Sequence, residues 1–309
     1  MSALIIIEHP IEEKWRAAIQ KELPEEIIEV YPDVKDPAAV DFVITFKPRK
    51  AALQEFPNLK VVQSLGAGVN NIIEVDALTA NMTLARIVDP YLAEDMWEFT
   101  LAVVLSEIKN LPKYQVQKAQ SLWKPTYYKR FRDTTIGILG LGKIGSCVAT
   151  NFAKLGFPVK GWSNSKKDIK GVDSYVGMKE LPNALKEVDF LINILPLTDA
   201  TEGILTSANL EHLPKGAFLI NVGRGPHNDE AAIVHLLDTE HLSGAHLDVF
   251  SQEPLPKEHP FWKHPKVKMT PHVASLTNRP SAAALIADNY RRFKAGKELA
   301  NVVSLERGY

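Results

Sequence analysis

Gly140, Gly142 and Gly145 stand in the order G-x-G-x-x-G within Ile136-Gly-Ile-Leu-Gly-Leu-Gly-Lys-Ile-Gly145, after an apolar run and ahead of a helix-forming one. That setting suits a dinucleotide pyrophosphate. Gly140 would make the tight turn, Gly142 would let the backbone approach the phosphates, and Gly145 would let the helix pack closely on the strand. Leu141, Lys143 and Ile144 complete the loop, whose N–H groups would face the phosphates at the positive end of the following helix. The G-x-x-x-x-G-K-[ST] spacing of a mononucleotide phosphate loop does not occur.

In the usual fingerprint an acidic residue about 20 positions further on, at the end of the second strand, holds the ribose hydroxyls. Here that strand would end at Val159-Lys-Gly-Trp162, followed by Ser163, Asn164, Ser165, Lys166 and Lys167, with no carboxylate before Asp168. Hydroxyls, an amide and two ammonium groups can hold a dianionic phosphate, so NADP is expected ahead of NAD, which stays as the alternative.

Three more polar clusters each close an apolar run: Asn221-Val-Gly-Arg224-Gly225, Leu247-Asp248-Val-Phe-Ser-Gln-Glu253-Pro-Leu-Pro256 and Met269-Thr-Pro-His272-Val-Ala274. Open α/β sheets present their ligand groups at such strand ends. Together with the glycine motif and Ser64-Leu-Gly-Ala-Gly-Val69, these residues resemble the D-isomer-specific 2-hydroxyacid dehydrogenase family. The resemblance extends to Trp162-Ser163, Leu122-Trp-Lys-Pro125 and Arg307-Gly-Tyr309, and so to nearly the whole chain.

Such a resemblance implies reduction of a small 2-oxo acid, glyoxylate or hydroxypyruvate, to the D-2-hydroxy acid with hydride from NADPH. The reaction needs a cation for the carboxylate, polarisation of the carbonyl, and a proton for the nascent alkoxide. Arg224 suits the first two tasks because a guanidinium stays charged and donates as a fork. His272 suits the third. By the family pattern Glu253 is its partner, and a buried carboxylate there would stabilise imidazolium. The resemblance also assigns Leu65, Gly66, Ala67 and Gly68 to the substrate carboxylate, with Ala67 and Gly68 as the donors. Leu195, Pro196, Val222 and Gly223 are assigned to the cofactor and Asp248 to the nicotinamide amide. Trp123 would cap the active site from the neighbouring subunit of a homodimer. The tryptophan that the pattern carries in the first-lobe substrate loop has no counterpart in Thr45-Phe-Lys-Pro-Arg49. His227 and His246 read as structural, with lining of the cleft as the alternative.

Rival readings stay within reach of the same residues. A different D-2-hydroxy acid substrate is one. A phosphoglycerate-type enzyme would need an added regulatory domain, and a formate-type enzyme carries Gln where this chain has Glu253. A non-catalytic nicotinamide-sensing protein, similar to the family's transcriptional co-repressors, can retain the Arg, Glu and His set.

The elements that must position these groups are legible in the apolar patterning. Strands are expected over Ala3–Glu8, Asp41–Phe46, Leu59–Leu65 and Thr83–Ile87, with a helix over Ile11–Glu22. Leu92, Met96, Phe99 and Val103 recur at helical spacing, so a helix over Tyr91–Asn110 leaves the first lobe and Pro112 ends it. Beyond it, strands over Thr135–Leu139, Pro158–Trp162, Phe190–Leu195, Ala217–Val222, Gly244–Phe250 and Val267–Thr270 alternate with helices over Lys143–Leu155, Met178–Lys186 and Asp229–Leu237. Nearly continuous apolar strands are expected where helices cover both sheet faces. A last helix, Ala282–Phe293, would return to the first lobe. The fold expected is α/β, two Rossmann-like doubly wound parallel-sheet domains with a cleft between them. One would comprise residues 1–100 plus 281–309, and the dinucleotide-binding domain residues 101–280.

Composition bounds the reading. The 309 residues fit two domains. With 36 Lys plus Arg against 37 Asp plus Glu, no bulk field gathers nucleic acid. The single cysteine, Cys147, precludes an intrachain disulfide and points to the cytoplasm, and the histidines form no H-E-x-x-H set, so no metal is expected. No apolar run approaches membrane-spanning length, and Met1–Glu8 is not a secretory leader, so neither a membrane nor a nucleic-acid partner is expected.

Overall fold

Runs of Val, Ile, Leu and Phe, buried on both faces, set the architecture of the computed structural model, which describes residues 2–7, 11–75, 77–79 and 81–305. The chain divides into two units, Met1–Leu92 with Thr277–Tyr309, and Ala93–Leu276. Glu8 and Arg307–Tyr309, which the sequence reading used, lie outside the described residues.

The first unit holds β1 (Ser2–Ile6), β2 (Ile28–Val30), β3 (Val40–Thr45), β4 (Val61–Ser64) and β5 (Thr83–Ala85), all parallel, in the order β2-β1-β3-β4-β5. Side chains alternate along β3: Phe42 and Ile44 join Trp15, Ile19, Ile286 and Tyr290 on one face, while Val43 joins Leu53, Val62 and Ile72 on the other. The helix Arg279–Lys294 is capped by Asn278, whose Oδ1 accepts from Ser281 N. It is tied to β4 by a buried bond in which Asn289 Nδ2 donates to Gln63 Oε1 at 2.8 Å.

The second unit holds β6 (Ile136–Leu139), β7 (Val159–Ser163), β8 (Val172–Val176), β9 (Phe190–Asn193), β10 (Ala217–Asn221), β11 (Leu242–Leu247) and β12 (Val267–Met269). The parallel order β12-β11-β10-β9-β6-β7-β8 reverses direction between β6 and β9, the dinucleotide-binding arrangement. Register does the positioning. Leu139, Asn193, Asn221, Leu247 and Met269 pair successively across β6, β9, β10, β11 and β12, so these five strands end in one row. The loops that leave this row carry Gly140, Leu195, Arg224, Asp248 and His272.

Several elements differ from expectation for local reasons. The helix Pro90–Ile108 stops before Asn110, whose φ of 56° breaks it. Pro112 then sits in the first turn of a further helix, Leu111–Ala119, where its missing N–H costs nothing. From Met96 onward the longer helix packs on β6, which is why the units part at Leu92/Ala93 rather than near residue 100. The short strands β2 and β8, both at sheet edges, were not anticipated. Among the described residues no helix is long and apolar enough to cross a membrane, and no group of three or more His, Cys, Asp or Glu could hold a metal ion.

Candidate active site

The three glycines of the motif meet three different surroundings. Gly140 has φ of +103° and its N–H reaches Trp162 O at 2.8 Å; a Cβ there would press within 3.2 Å of Leu195 N. Gly142 caps the helix Lys143–Lys154, and a Cβ on it would meet nothing within 4 Å. A Cβ on Gly145 would lie 1.8 Å from Gly140 O, so the helix is seated directly on the turn. Leu141 is buried and packs over Gly161, Ile144 is half-buried, and Lys143 is exposed. The first N–H groups of a helix have no partner within it, so open space above Gly142 fits a phosphate group.

At the end of β7, Trp162 is buried with its Nε1 donating to Gly177 O, and Ser163 Oγ donates to Ser165 O at 2.7 Å, which closes the turn. Asn164, Ser165 and Lys166 are exposed and Lys167 is half-buried. Among the described residues, neither lysine ammonium is paired with a carboxylate.

Arg224 follows β10 in a turn flanked by glycines that allow two close approaches. A Cβ on Gly225 would lie 1.9 Å from the Phe250 carbonyl carbon, and one on Gly223 would lie 3.0 Å from Asn193 Nδ2 and Leu195 O. Buried Asn221 bonds both sides of the turn, accepting from Gly223 N at 3.0 Å and donating to Arg224 O at 3.1 Å. The half-buried guanidinium donates to Gly223 O at 2.6 Å. Burial lowers its pKa and the neighbouring Glu253 charge raises it, so the carboxylate and the cation act on each other.

His272 lies after β12 in the left-handed region, φ 55°, which a non-glycine residue holds only where its surroundings fix it. Asp248 supplies that fixing. Its backbone carbonyl accepts from His272 N at 2.8 Å, Oδ1 accepts from Thr270 Oγ1 at 2.6 Å and Val273 N at 2.9 Å, and Oδ2 accepts from Ala274 N at 2.9 Å. The carboxylate is almost fully buried, and with about four lone-pair sites it has one left, on Oδ2. His246 extends the chain through Nε2 to Thr270 Oγ1 at 3.2 Å; burial lowers its pKa to about 4, with Asp248 raising and Lys268 lowering it.

Glu253 Oε1 accepts from Phe250 N at 3.0 Å, and Oε2 lies 2.8 Å from His272 Nδ1. This bond leaves the other ring nitrogen, Nε2, for a ligand. The carboxylate is not buried as expected: the Glu253 side chain is 28% exposed and that of His272 45%, because both stand on surface turns beyond the strand ends. The structure thus links Glu253 to His272 by a hydrogen bond and to Arg224 by charge.

The remaining assigned residues distribute as follows. Leu195 and Val222 are buried; Leu195 N donates to Asn193 Oδ1, and Pro196 O accepts from Thr201 Oγ1 and faces His227 Nε2. In the first unit, Leu65 N donates to Thr45 O and Gly66 N to Ser64 Oγ, whereas the N–H groups of Ala67 and Gly68 have no partner among the described residues. Phe46, in the loop where the expected tryptophan has no counterpart, is 43% exposed with its ring 3.3 Å from where a Gly66 Cβ would be. Trp123 is 98% exposed and Tyr127 entirely so, beside a groove of about 620 Å³ lined by Tyr114, Gln117, Leu122 and Pro125. Tyr114 Oη accepts from Thr126 N, which secures that arm to the helix Leu111–Ala119.

Comparison with known proteins gives the family of the chain. The family described as D-isomer specific 2-hydroxyacid dehydrogenase, NAD binding domain, matches residues 101–274. A glyoxylate/hydroxypyruvate reductase A of Serratia proteamaculans is 38% identical over 312 residues, covering 99% of each chain. Among solved structures, a D-isomer specific 2-hydroxyacid dehydrogenase from Xanthobacter autotrophicus in complex with NADPH and MES superposes with a TM-score of 0.95 at 35% identity, covering 100% of this chain and 99% of the other. An NADPH-dependent glyoxylate/hydroxypyruvate reductase from Sinorhizobium meliloti, in complex with NADP and sulfate, gives 0.94 at 33% identity over the whole of both chains.

Proposed function

Because the chain belongs to the D-isomer-specific 2-hydroxyacid dehydrogenase family, we propose that it reduces glyoxylate or hydroxypyruvate with NADPH, giving glycolate or D-glycerate. The observation that carries this reading is the Glu253–His272 bond of 2.8 Å, with Arg224 acting on the same carboxylate, on loops that leave the strand-end row shared with the Gly140 turn. Glyoxylate/hydroxypyruvate reductases among the relatives support the substrate, and the NADPH and NADP bound in two solved relatives support the cofactor.

The glycine loop fits a dinucleotide: Gly142 leaves open space at a helix start, and Lys166 and Lys167 offer ammonium groups for a 2′-phosphate. When bound, the nicotinamide supplies hydride. Arg224 grips the carboxylate of the oxo acid and polarises its carbonyl oxygen. In the first unit, the N–H groups of Ala67 and Gly68, without a partner among the described residues, are the backbone donors we assign to a carboxylate. His272 Nε2 holds the proton that passes to the new alkoxide, while Glu253 fixes the ring through Nδ1 and balances the imidazolium charge. Asp248 keeps the His272 loop in its left-handed conformation and offers its remaining lone pair to the nicotinamide amide. Trp123, on an exposed aromatic arm, caps the site of a second copy in a homodimer. A single half-buried thiol, Cys147, accords with a reducing cytoplasm.

NADPH oxidation measured over glyoxylate, hydroxypyruvate, pyruvate and 2-oxobutyrate, then with NADH, tests the reading. His272→Ala is expected to lower kcat by about 10²–10⁴-fold, the usual contribution of a positioned acid. Parental turnover in that variant defeats the acid role. Tight NADPH binding with no turnover of any oxo acid would instead favour a nicotinamide-sensing protein.

A further inference from the structure

Behind Arg224 stands a histidine with no exposed surface. His227 ends the tight turn Gly225–His227 and is 0% exposed. Its Nδ1 lies 3.2 Å from the backbone nitrogen of Arg224 and 2.8 Å from Asn193 Nδ2, and its Nε2 lies 3.3 Å from the Pro196 carbonyl oxygen. A backbone N–H can only donate, so Nδ1 presents its lone pair and the ring proton sits on Nε2, directed at Pro196.

The neighbouring amides agree with that assignment. Asn193 Oδ1 accepts from Leu195 N, which leaves its amide hydrogens for Asn221 Oδ1 and His227 Nδ1. Asn221 in turn donates to Arg224 O and to Asn228 Oδ1. Every donor meets an acceptor in one direction. The backbone N–H and C=O of Arg224 and the N–H of Gly223 are therefore all anchored to side chains at or beside the ends of β9 and β10. Protonation of His227 would remove the acceptor and set a second cation near Arg224. Burial, with the Arg224 charge adding to it, lowers the pKa to about 4, against a partial opposing effect of the Pro196 carbonyl.

We propose that His227 is a positioning residue for oxo-acid reduction: its Nδ1 lone pair holds the Arg224 backbone so that the guanidinium is aimed at the substrate carboxylate. The inference rests on Arg224 as the carboxylate-binding group.

Two substitutions separate the ring nitrogens. In His227→Asn the side-chain oxygen reaches the place of Nδ1; in His227→Gln the amide reaches that of Nε2 instead. Full-length parent, both variants and Arg224→Ala are compared at saturating NADPH for glyoxylate KM, for the inhibition constant of oxalate, for NADPH KM and for Tm. His227→Gln is expected to raise the glyoxylate KM and the oxalate constant together by about tenfold, the effect of one unsatisfied buried donor, with NADPH KM within about twofold. His227→Asn is expected to keep both within about threefold of the parent. Should His227→Gln not accumulate as folded protein, His227→Leu, similar in size and without an acceptor, carries the same expectation. Equal effects in the Asn and Gln variants, or a lower Tm with parental glyoxylate KM in both, overturn the proposal. An unchanged oxalate constant in Arg224→Ala removes the premise, and the proposal with it.

Discussion

Alanine at Gly142 and alanine at Gly145 each add one methyl group to the same loop, yet the structure predicts opposite consequences. At Gly145 the new Cβ would fall 1.8 Å from Gly140 O, whereas real Cβ atoms essentially never come within 3.0 Å. Either the helix Lys143–Lys154 or the Gly140 turn must retreat by more than an ångström, and the turn is pinned by its N–H bond to Trp162 O. Overpacking of this kind costs about 1–3 kcal/mol, which in a chain of this size lowers Tm by roughly 3–10 °C. At Gly142, φ is −72° and ψ −167°, a conformation open to alanine, and the added Cβ meets nothing within 4 Å. Stability should therefore change by less than about 0.5 kcal/mol, the poorer N-cap being offset by a stiffer unfolded chain. The same methyl stands where a pyrophosphate must approach, and NADPH affinity should fall by at least about tenfold, or ~1.4 kcal/mol. Thermal melts of the free proteins and fluorescence titrations with NADPH, on the same samples, give both quantities. Parental NADPH affinity in Gly142→Ala, or an unchanged melt in Gly145→Ala, refutes the assignment of the loop.

Replacing Lys166 and Lys167 together by Glu should raise the NADPH KM by about 10²-fold while leaving the NADH KM within a few-fold, since each charge-assisted bond to a 2′-phosphate contributes roughly 1.5–3 kcal/mol. Equal changes for the two cofactors would remove the lysines from the phosphate site. His227 and His246 make the folded protein acid-sensitive: each has its pKa lowered from 6.5 to about 4, so between those values the unfolded chain gains protons that the folded one does not. Their effect is nil above pH 6.5 and grows as pH falls toward 4, reaching about 3 kcal/mol for fully buried His227. Denaturant melts across that range should therefore show a shallower pH dependence in His227→Asn than in the parent, and identical slopes would contradict it. In amide hydrogen exchange, Arg224, Val273 and Ala274, whose N–H groups are bonded to His227 and Asp248, should exchange slowly, and Ala67 and Gly68 fast until oxalate is added. Fast exchange at 273 and 274 would show that Asp248 does not hold the loop.

The central strands were legible because their environment is uniform. Phe190–Ile192 and Phe218–Ile220 are buried on both faces, and an unbroken apolar run has few other uses. The edges were not. Val172-Asp-Ser-Tyr-Val176 is half-exposed along most of its length and pairs on one side only, so its polar residues show no apolar run. Ile28–Val30 has three residues, too few to show any period. Proline ends most helical patterns, yet Pro112 is not the terminator here. The break is made instead by left-handed Asn110, and proline is tolerated in the first turn that follows. Phe190–Leu195 and Ala217–Val222 were each drawn past the last paired residue, Asn193 and Asn221, which leaves the two asparagines looking like strand interior.

Those two asparagines mark where residue patterns lose information about the site. Arg224 and His272 announce themselves by chemistry, each a charged or titratable group just past an apolar strand, Glu253 is picked out only by the family pattern, and Gly140, Gly142 and Gly145 announce themselves by spacing. Asn193, Asn221, His227 and Asp248 act on the backbone of other segments, so their partners are fixed by strand register rather than by sequence distance. Asn193 meets His227 across 34 positions only because it pairs with Asn221 at the end of β9 and β10. Asp248 meets Ala274 across 26 because Leu247 pairs with Met269. A one-residue slip in either pairing would turn these side chains to the opposite sheet face and leave buried amides, a carboxylate and an imidazole without partners. Unsatisfied, such groups cost about 1–3 kcal/mol each, so the web that aims Arg224 and His272 also selects the register that the apolar residues alone would leave weakly specified.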